Sequence, residues 1–191
     1  MVLDKLVLKL ALTFLVLLVS TGCTAVNGGT TTIEPSTMGD YSEDPDSELG
    51  SRNNPIALGK PVEVNDWKIQ VESVNKDALK VVMASDPYTS KPSAKERYVL
   101  LNLKATYLGD ESGEPSSDLR FKIVGSKGNT FAQSCGYSSD SFDNNGETFS
   151  GASVKGTLCF TVDANQISGA TVSVQSDYSG DDRKFISTDS N

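Results

Sequence analysis

Few residues in this chain have the type and spacing that chemistry requires. There is no histidine, which removes Ser-His-Asp and Cys-His nucleophilic catalysis and every histidine-containing zinc site. No Gly-rich stretch joins a strand pattern to a helix pattern, so no phosphate-cradling loop is expected. Oxygen ligands, thiols and loop aromatics remain. Asp140, Asp143, Asn145 and Glu147 crowd oxygen atoms into one short stretch and are candidate Ca²⁺ ligands; residues 177–182 offer a similar set. Neither stretch has the alternating ligand register of an EF-hand, and Asp, Asn and Gly are also ordinary turn residues. No metal or other cofactor is assigned. Paired carboxylates could hydrolyse a glycosidic bond only in a cleft that raises one pKa, so a carboxylate-dependent hydrolase stays an outside reading. Tyr88, Tyr137, Phe142 and Tyr178 fall in polar loops, where amphipathic rings are candidate partner contacts. Trp67, Phe121 and Phe160 fall in strand patterns and read as core.

Charge narrows the partners. The chain holds 25 Asp and Glu against 17 Lys and Arg, a formal net charge of -8. Phosphate binding needs a basic stripe that is missing here, so nucleic acid is excluded as a partner. Adhesion of the folded face to anionic lipid is disfavoured for the same reason.

The amino terminus has its own logic. Lys5 and Lys9 make a basic start, and residues 10–19 are apolar apart from Thr13. That is the length of a signal-peptide core, whereas a spanning helix needs about 20 apolar residues. The leader ends Val19-Ser20-Thr21-Gly22-Cys23, which resembles the lipobox of bacterial lipoproteins. The resemblance implies cleavage before Cys23 and a diacylglyceryl thioether on its sulfur; Ser20 stands where that family usually has a branched apolar residue. The alternative is ordinary secretion with cleavage near Gly22 or Ala25. Two acyl chains, at about 0.8 kcal/mol per buried methylene, convert reversible adsorption into stable anchoring.

With Cys23 given to lipid, Cys135 and Cys159 are left as an even pair in an oxidising compartment, either bridged or as two free thiols. A bridge would contribute about 3 kcal/mol in the chain-entropy description. Cys159 lies between Leu158 and Phe160, so in a strand its side chain leaves on the face opposite the core. A bridge there pins the Cys135 loop onto the outside of a sheet.

The elements that position these residues follow from hydrophobic spacing. Residues 23–54 lack apolar periodicity and carry an acidic run, Asp40, Glu43, Asp44, Asp46 and Glu48, which reads as a flexible acidic tether reaching roughly 30 Å. Residues 55–191 alternate at period two and read as one β domain. Residues 61–64 and 67–71 flank a turn at Asn65-Asp66, and residues 78–83 read as a further strand. The clearest strand runs over 97–107, with Val99, Leu101, Leu103, Ala105 and Tyr107 on one face and Tyr98 and Leu100 on a partly covered second face. Residues 119–123, a turn at Ser126–Asn129 into Phe131, then Val154, Leu158, Phe160 and Val162, then Val172 and Val174, and finally Phe185 and Ile186 complete the pattern. About seven to nine short strands separated by turns read as an all-β, immunoglobulin-like antiparallel β-sandwich.

This order of strands resembles the extracellular immunoglobulin-like domain of unknown function found in many lipoproteins of Gram-positive bacteria. That domain is similar in fold to a secreted mycobacterial immunoprotective antigen. The resemblance rests on Gly59 with Val62, Trp67 to Val71, Tyr98 to Tyr107, Phe121 and Ile123 before Gly128 and Phe131, and the run Gly151, Val154, Gly156, Leu158, Phe160, Val162. It implies the sandwich and no catalytic constellation. The expected protein is a non-enzymatic lipoprotein on the extracellular face of the cell membrane of a Gram-positive bacterium. Its domain would bind an envelope protein or glycan, and a purely structural or immunogenic domain is the alternative.

Overall fold

The clearest alternation in the sequence is a strand of twelve residues, β3 (Glu96–Tyr107), with alternate side chains buried. The structure of the chain is a computed structural model, and it describes residues 48–136, 139–177 and 180–190. β1 (Pro61–Val64) and β2 (Trp67–Asn75) form a hairpin closed by Val64 opposite Trp67, with Asn65 at φ 49° in the turn between them. β2 then pairs with β3, and β3 with β8 (Ser153–Asp163), to complete a sheet ordered β1-β2-β3-β8. The facing sheet contains β5 (Leu119–Val124), β6 (Thr130–Ala132), β9 (Thr171–Ser176) and β10 (Lys184–Ser187), ordered β10-β9-β5-β6. A two-residue pair, β4 (Ser112–Gly113) with β7 (Thr148–Phe149), ties two loops together at one end. The described residues thus form an immunoglobulin-like antiparallel β-sandwich of ten strands.

Burial explains the arrangement. Val62, Val64, Trp67, Ile69, Val71, Val99, Leu101, Leu103 and Ala105 from the first sheet pack against Leu119, Ile123, Val172, Val174 and Ile186 of the second. Each sheet hides one apolar face against the other, as a two-layer fold requires. The gap that Gly156 leaves on the inner face of β8 is filled from outside the sheets. A 3-10 turn at Phe142–Asn144 lies so close that a Cβ on Gly156 would stand 2.5 Å from the Phe142 Cα and N. The Phe142 ring enters the core at 1% exposure and meets Phe121 edge-on, centroids 5.8 Å apart. Phe142 is therefore a core plug and not a partner contact, contrary to its reading as a loop aromatic. A glycine inside a strand marks a site where another backbone approaches closely.

Three further elements depart from the period-two reading. Residues 78–83 are not a strand: Leu79–Ser85 forms a helix, α1. Ala78, Leu79 and Val82 have the spacing of one helical face, and all three pack on the outside of the first sheet. Residues 78–83 are also apolar on both strand faces, and short apolar runs are ambiguous between the two periods. β2 continues beyond Val71 because a bulge at Glu72 resets the register, so that Val74, opposite Leu101, packs against the core. Between β3 and β5 the chain contains β4 and a short helix, α2 (Pro115–Asp118). Asp118 of α2 accepts hydrogen bonds from the Trp67 indole Nε1 at 3.0 Å and the Glu114 amide at 3.0 Å, which fastens this loop over the core.

Contacts to the sandwich begin ahead of residue 55. The Phe185 amide donates to the Gly50 carbonyl and Ile56 bridges Ile186 in parallel, so Gly50 and Ile56 both sit on the edge of β10, with a turn closed by the Gly50 amide on the Asn54 carbonyl between them. These are backbone bonds, and side-chain spacing does not report them.

Gly156→Ala tests the plug. Overpacking against a fixed backbone should cost about 1–3 kcal/mol of unfolding free energy, read by denaturant titration. Gly146→Ala, where an added Cβ meets nothing within 4 Å, should stay within about 0.5 kcal/mol. Equal effects at the two sites would remove the plug.

Candidate functional site

The outer face of the first sheet carries a second, smaller apolar cluster. Tyr98 and Leu100 of β3 and Cys159 of β8 point away from the main core and are covered by Ala78, Leu79 and Val82 of the α1 segment and by Cys135. Cys135 and Cys159 are joined in a disulfide with Cα atoms 5.2 Å apart. Each is 6% exposed. As the alternation around Cys159 implied, the bridge holds the 133–136 segment on the outside of the sheet. Backbone bonds reinforce it: the Ser134 amide donates to the Cys159 carbonyl at 3.1 Å, and the Thr157 amide to the Asp140 carbonyl at 2.8 Å.

Between α1 and this segment runs a groove floored by the disulfide and Leu100, with Val81, Val82 and Ser85 on one wall and Gln133, Gly136 and Ser141 on the other. Its open volume is about 40 Å³. A water needs roughly 10–15 Å³ measured in the same way, so the groove accepts a few waters or one small side chain rather than a drug-sized ligand. Val81 on its rim is 46% exposed.

The loop that follows α1 presents Tyr88, 96% exposed. Its backbone is held at several points. Asp86 accepts from the Tyr88 amide at 3.0 Å and from the Thr89 hydroxyl at 2.6 Å. The Tyr98 hydroxyl donates to the Ser90 carbonyl. The Ser93 amide donates to Glu96 Oε2 at 3.1 Å, and the Ser93 hydroxyl and amide together hold the Glu96 carboxyl below its usual range. Burial pushes the Tyr98 phenol up, helped by the charge of Glu96, so this hydroxyl stays a donor.

The candidate calcium ligands do not converge. Asp143 accepts from the Gln133 amide at 2.6 Å, and Glu147 from the Ser112 hydroxyl at 2.7 Å. The Asn145 side-chain amide donates to the carbonyls of Phe142 at 2.9 Å and Lys155 at 3.0 Å. Asp140 lies on the groove side of the loop. In the 177–182 stretch, Asp182 turns back to accept from the Ser176 amide. Among the described residues no three His, Cys, Asp or Glu side chains are grouped to hold a metal ion. Asp143, Asn145 and Glu147 instead fasten their loop to its neighbours, which is the turn role their residue types also suit. Of the remaining candidates, Cys23, Tyr137 and Tyr178 lie outside the described residues.

No protein-family model matches the chain, and no curated protein matches it. Among solved structures it is similar to a conserved hypothetical protein from Bacillus anthracis, at 10% identity and a TM-score of 0.46 over 68% of this chain and 94% of that one. It is similar to the yjhA protein from Bacillus subtilis at 12% identity and 0.46, covering 70% and 99%. The ycdA protein of Bacillus subtilis is similar at 14% identity and 0.46, over 68% of this chain and 38% of that chain.

Replacing Cys135 and Cys159 together by serine should lower the unfolding free energy by about 3 kcal/mol. It should also speed hydrogen exchange in residues 133–136 and 79–85 before the rest of the sandwich. Unchanged exchange in α1 would show that the helix does not depend on the bridge.

Proposed function

We propose that this protein is a lipid-anchored, non-enzymatic binding module on the outer face of a Gram-positive cell membrane, and that it recognises an envelope protein or glycan through Tyr88 and the groove beside it. The observation that carries the reading is the 96% exposure of Tyr88 on a loop fixed by Asp86, Tyr98 and Glu96. A ring carried on a backbone already held loses less conformational freedom on binding than one on a mobile loop, and exposed aromatic anchors often dominate interface energetics. The location is supported by the basic, apolar leader that ends at Cys23 and by the Cys135–Cys159 bridge, a pairing that suits an oxidising compartment. The resemblance to the immunoglobulin-like domain of Gram-positive lipoproteins points the same way.

Two measurements test the reading. Labelled palmitate should enter the wild-type protein and fail to enter Cys23→Ser; label retained by the variant would remove the anchor. In pull-downs from crosslinked envelope, Tyr88→Ala should weaken capture of the partner about tenfold, equivalent to about 1.4 kcal/mol. Capture that is indifferent to Tyr88 would move recognition elsewhere or favour a purely structural domain.

A further inference from the structure

The opposite end of β3 has a different chemistry. It is built from the Asn65-Asp66 turn, residues 107–118 and residues 146–152, joined by the Leu108 amide donating to the Asp66 carbonyl at 2.7 Å and by the β4–β7 pair. Asp66, Asp110, Glu111, Glu114, Asp118 and Glu147 lie here, and no Lys or Arg occurs between Lys104 and Arg120 or between Lys127 and Lys155. The neighbouring cations Lys68 and Lys104 sit on the outer face of the strands: Lys68 faces Thr106 across the ladder, and Lys104 faces Lys155. Asp118 and Glu147 are used inside the fold, by Trp67 and Ser112. Asp110 and Glu111 have no protein partner among the described residues.

Carboxylates alone would be only a solvated rim. The second observation is Tyr107. Its ring is 7% exposed, stacked edge-on against Trp67 at 5.0 Å, and held between Gly109 and Gly113. A Cβ on Gly109 would stand 2.4 Å from the Tyr107 oxygen, and one on Gly113 2.6 Å from its ring. The Tyr107 hydroxyl makes no hydrogen bond to any described residue. The one described side-chain polar atom that is both fully buried and unpartnered is Gln166 Oε1, so the Tyr107 oxygen reaches solvent at the end of an otherwise enclosed ring. Burial, and then the charge of Asp66, Asp118, Glu111 and Asp110, raises this phenol above its usual value of 10. It therefore stays neutral, with an O–H that can donate and lone pairs that can accept. Apolar surface accompanies it, because Leu108 and Phe149 are 43% and 62% exposed.

We propose that this end of the sandwich binds a basic polypeptide segment, with a Lys or Arg side chain donating to the Tyr107 oxygen between the Asp110 and Glu111 carboxylates, and an adjacent apolar side chain on Leu108 and Phe149. An ammonium or guanidinium donates to the phenol oxygen, whose own O–H is left to a carboxylate or water, and supplies the opposite charge for Asp110 and Glu111. The apolar pair selects a polypeptide over a bare polyamine. The site lies about seven residues along β3 from Leu100, roughly 24 Å from the disulfide groove, and does not depend on recognition at Tyr88.

Trp67 is the single tryptophan and its contact with Tyr107 makes its fluorescence a reporter. The purified full chain is titrated with an alternating Lys-Leu peptide, an equal-length Lys-Ser peptide, an alternating Glu-Leu peptide and spermine. Saturable binding of the Lys-Leu peptide is expected, weakened tenfold or more in Asp110→Asn/Glu111→Gln and several-fold in Tyr107→Phe, a change that keeps the ring packing. Phe149→Ser should weaken the Lys-Leu peptide and leave the Lys-Ser peptide unchanged, and Tyr88→Ala should alter none of these. The proposal is overturned if no basic peptide binds, if the carboxylate and Tyr107 variants bind as the wild type does, or if spermine or the Glu-Leu peptide binds as tightly as Lys-Leu.

Discussion

The register of β3 is the constraint on which the rest of the molecule depends. Its twelve residues pair with β2 along one edge and β8 along the other. Its inner face is Val99, Leu101, Leu103, Ala105 and Tyr107, all 7% exposed or less. A slip of one residue would turn those five side chains to the outside and bring Asn102, Lys104 and Thr106 into the core. The outer face is polar toward the Tyr107 end and apolar toward the Tyr98 end, and that difference decides what each end accepts. Where Tyr98 and Leu100 emerge, a helix and a disulfide cover them. Where Tyr107 emerges, glycine-rich acidic loops close over its ring.

The two ends also differ in how they are fastened. At the Tyr98 end the bond is covalent, and the small cluster beneath α1 is apolar. At the Tyr107 end the fastening is polar: Trp67 and the Glu114 amide share one oxygen of Asp118. An oxygen that accepts from two donors in a partly buried place fixes α2 relative to the β1–β2 hairpin. The acidic loops around it then have a defined backbone, and Asp110 and Glu111 are carried on it.

Much of this was readable from side-chain periods, and the exceptions have physical causes. Strands with one apolar face declare themselves by alternation, so β3, β5, β8 and β9 were legible. So was the outward direction of Cys159, since parity alone sets it. The α1 helix was not, because the short run Ala78-Leu79-Lys80-Val81-Val82-Met83 is apolar on both strand faces as well as on one helical face, and no capping side chain marks its start. β2 reads as ending at Val71 because the bulge breaks the alternation without ending the pairing. Phe142 was misread because its role is written in another strand, as the missing side chain of Gly156. The groove was hidden for a related reason: it belongs to the helix, the loop and the bridge together, and no one segment announces it.

The run of chain along β10 has a mechanical meaning. Residues 50–56 join that strand through the Gly50 carbonyl, the Ile56 amide and the Ile56 carbonyl, which bond Phe185 and Ser187, with Ile56 parallel to Ile186. Tension arriving from the amino end would reach the Gly50 bond first, then the turn closed by the Gly50 amide on the Asn54 carbonyl, and only then the two Ile56 bonds. The same strap occupies a sheet border that would otherwise offer free amides and carbonyls to a neighbouring molecule, so one segment serves as both strain relief and edge guard.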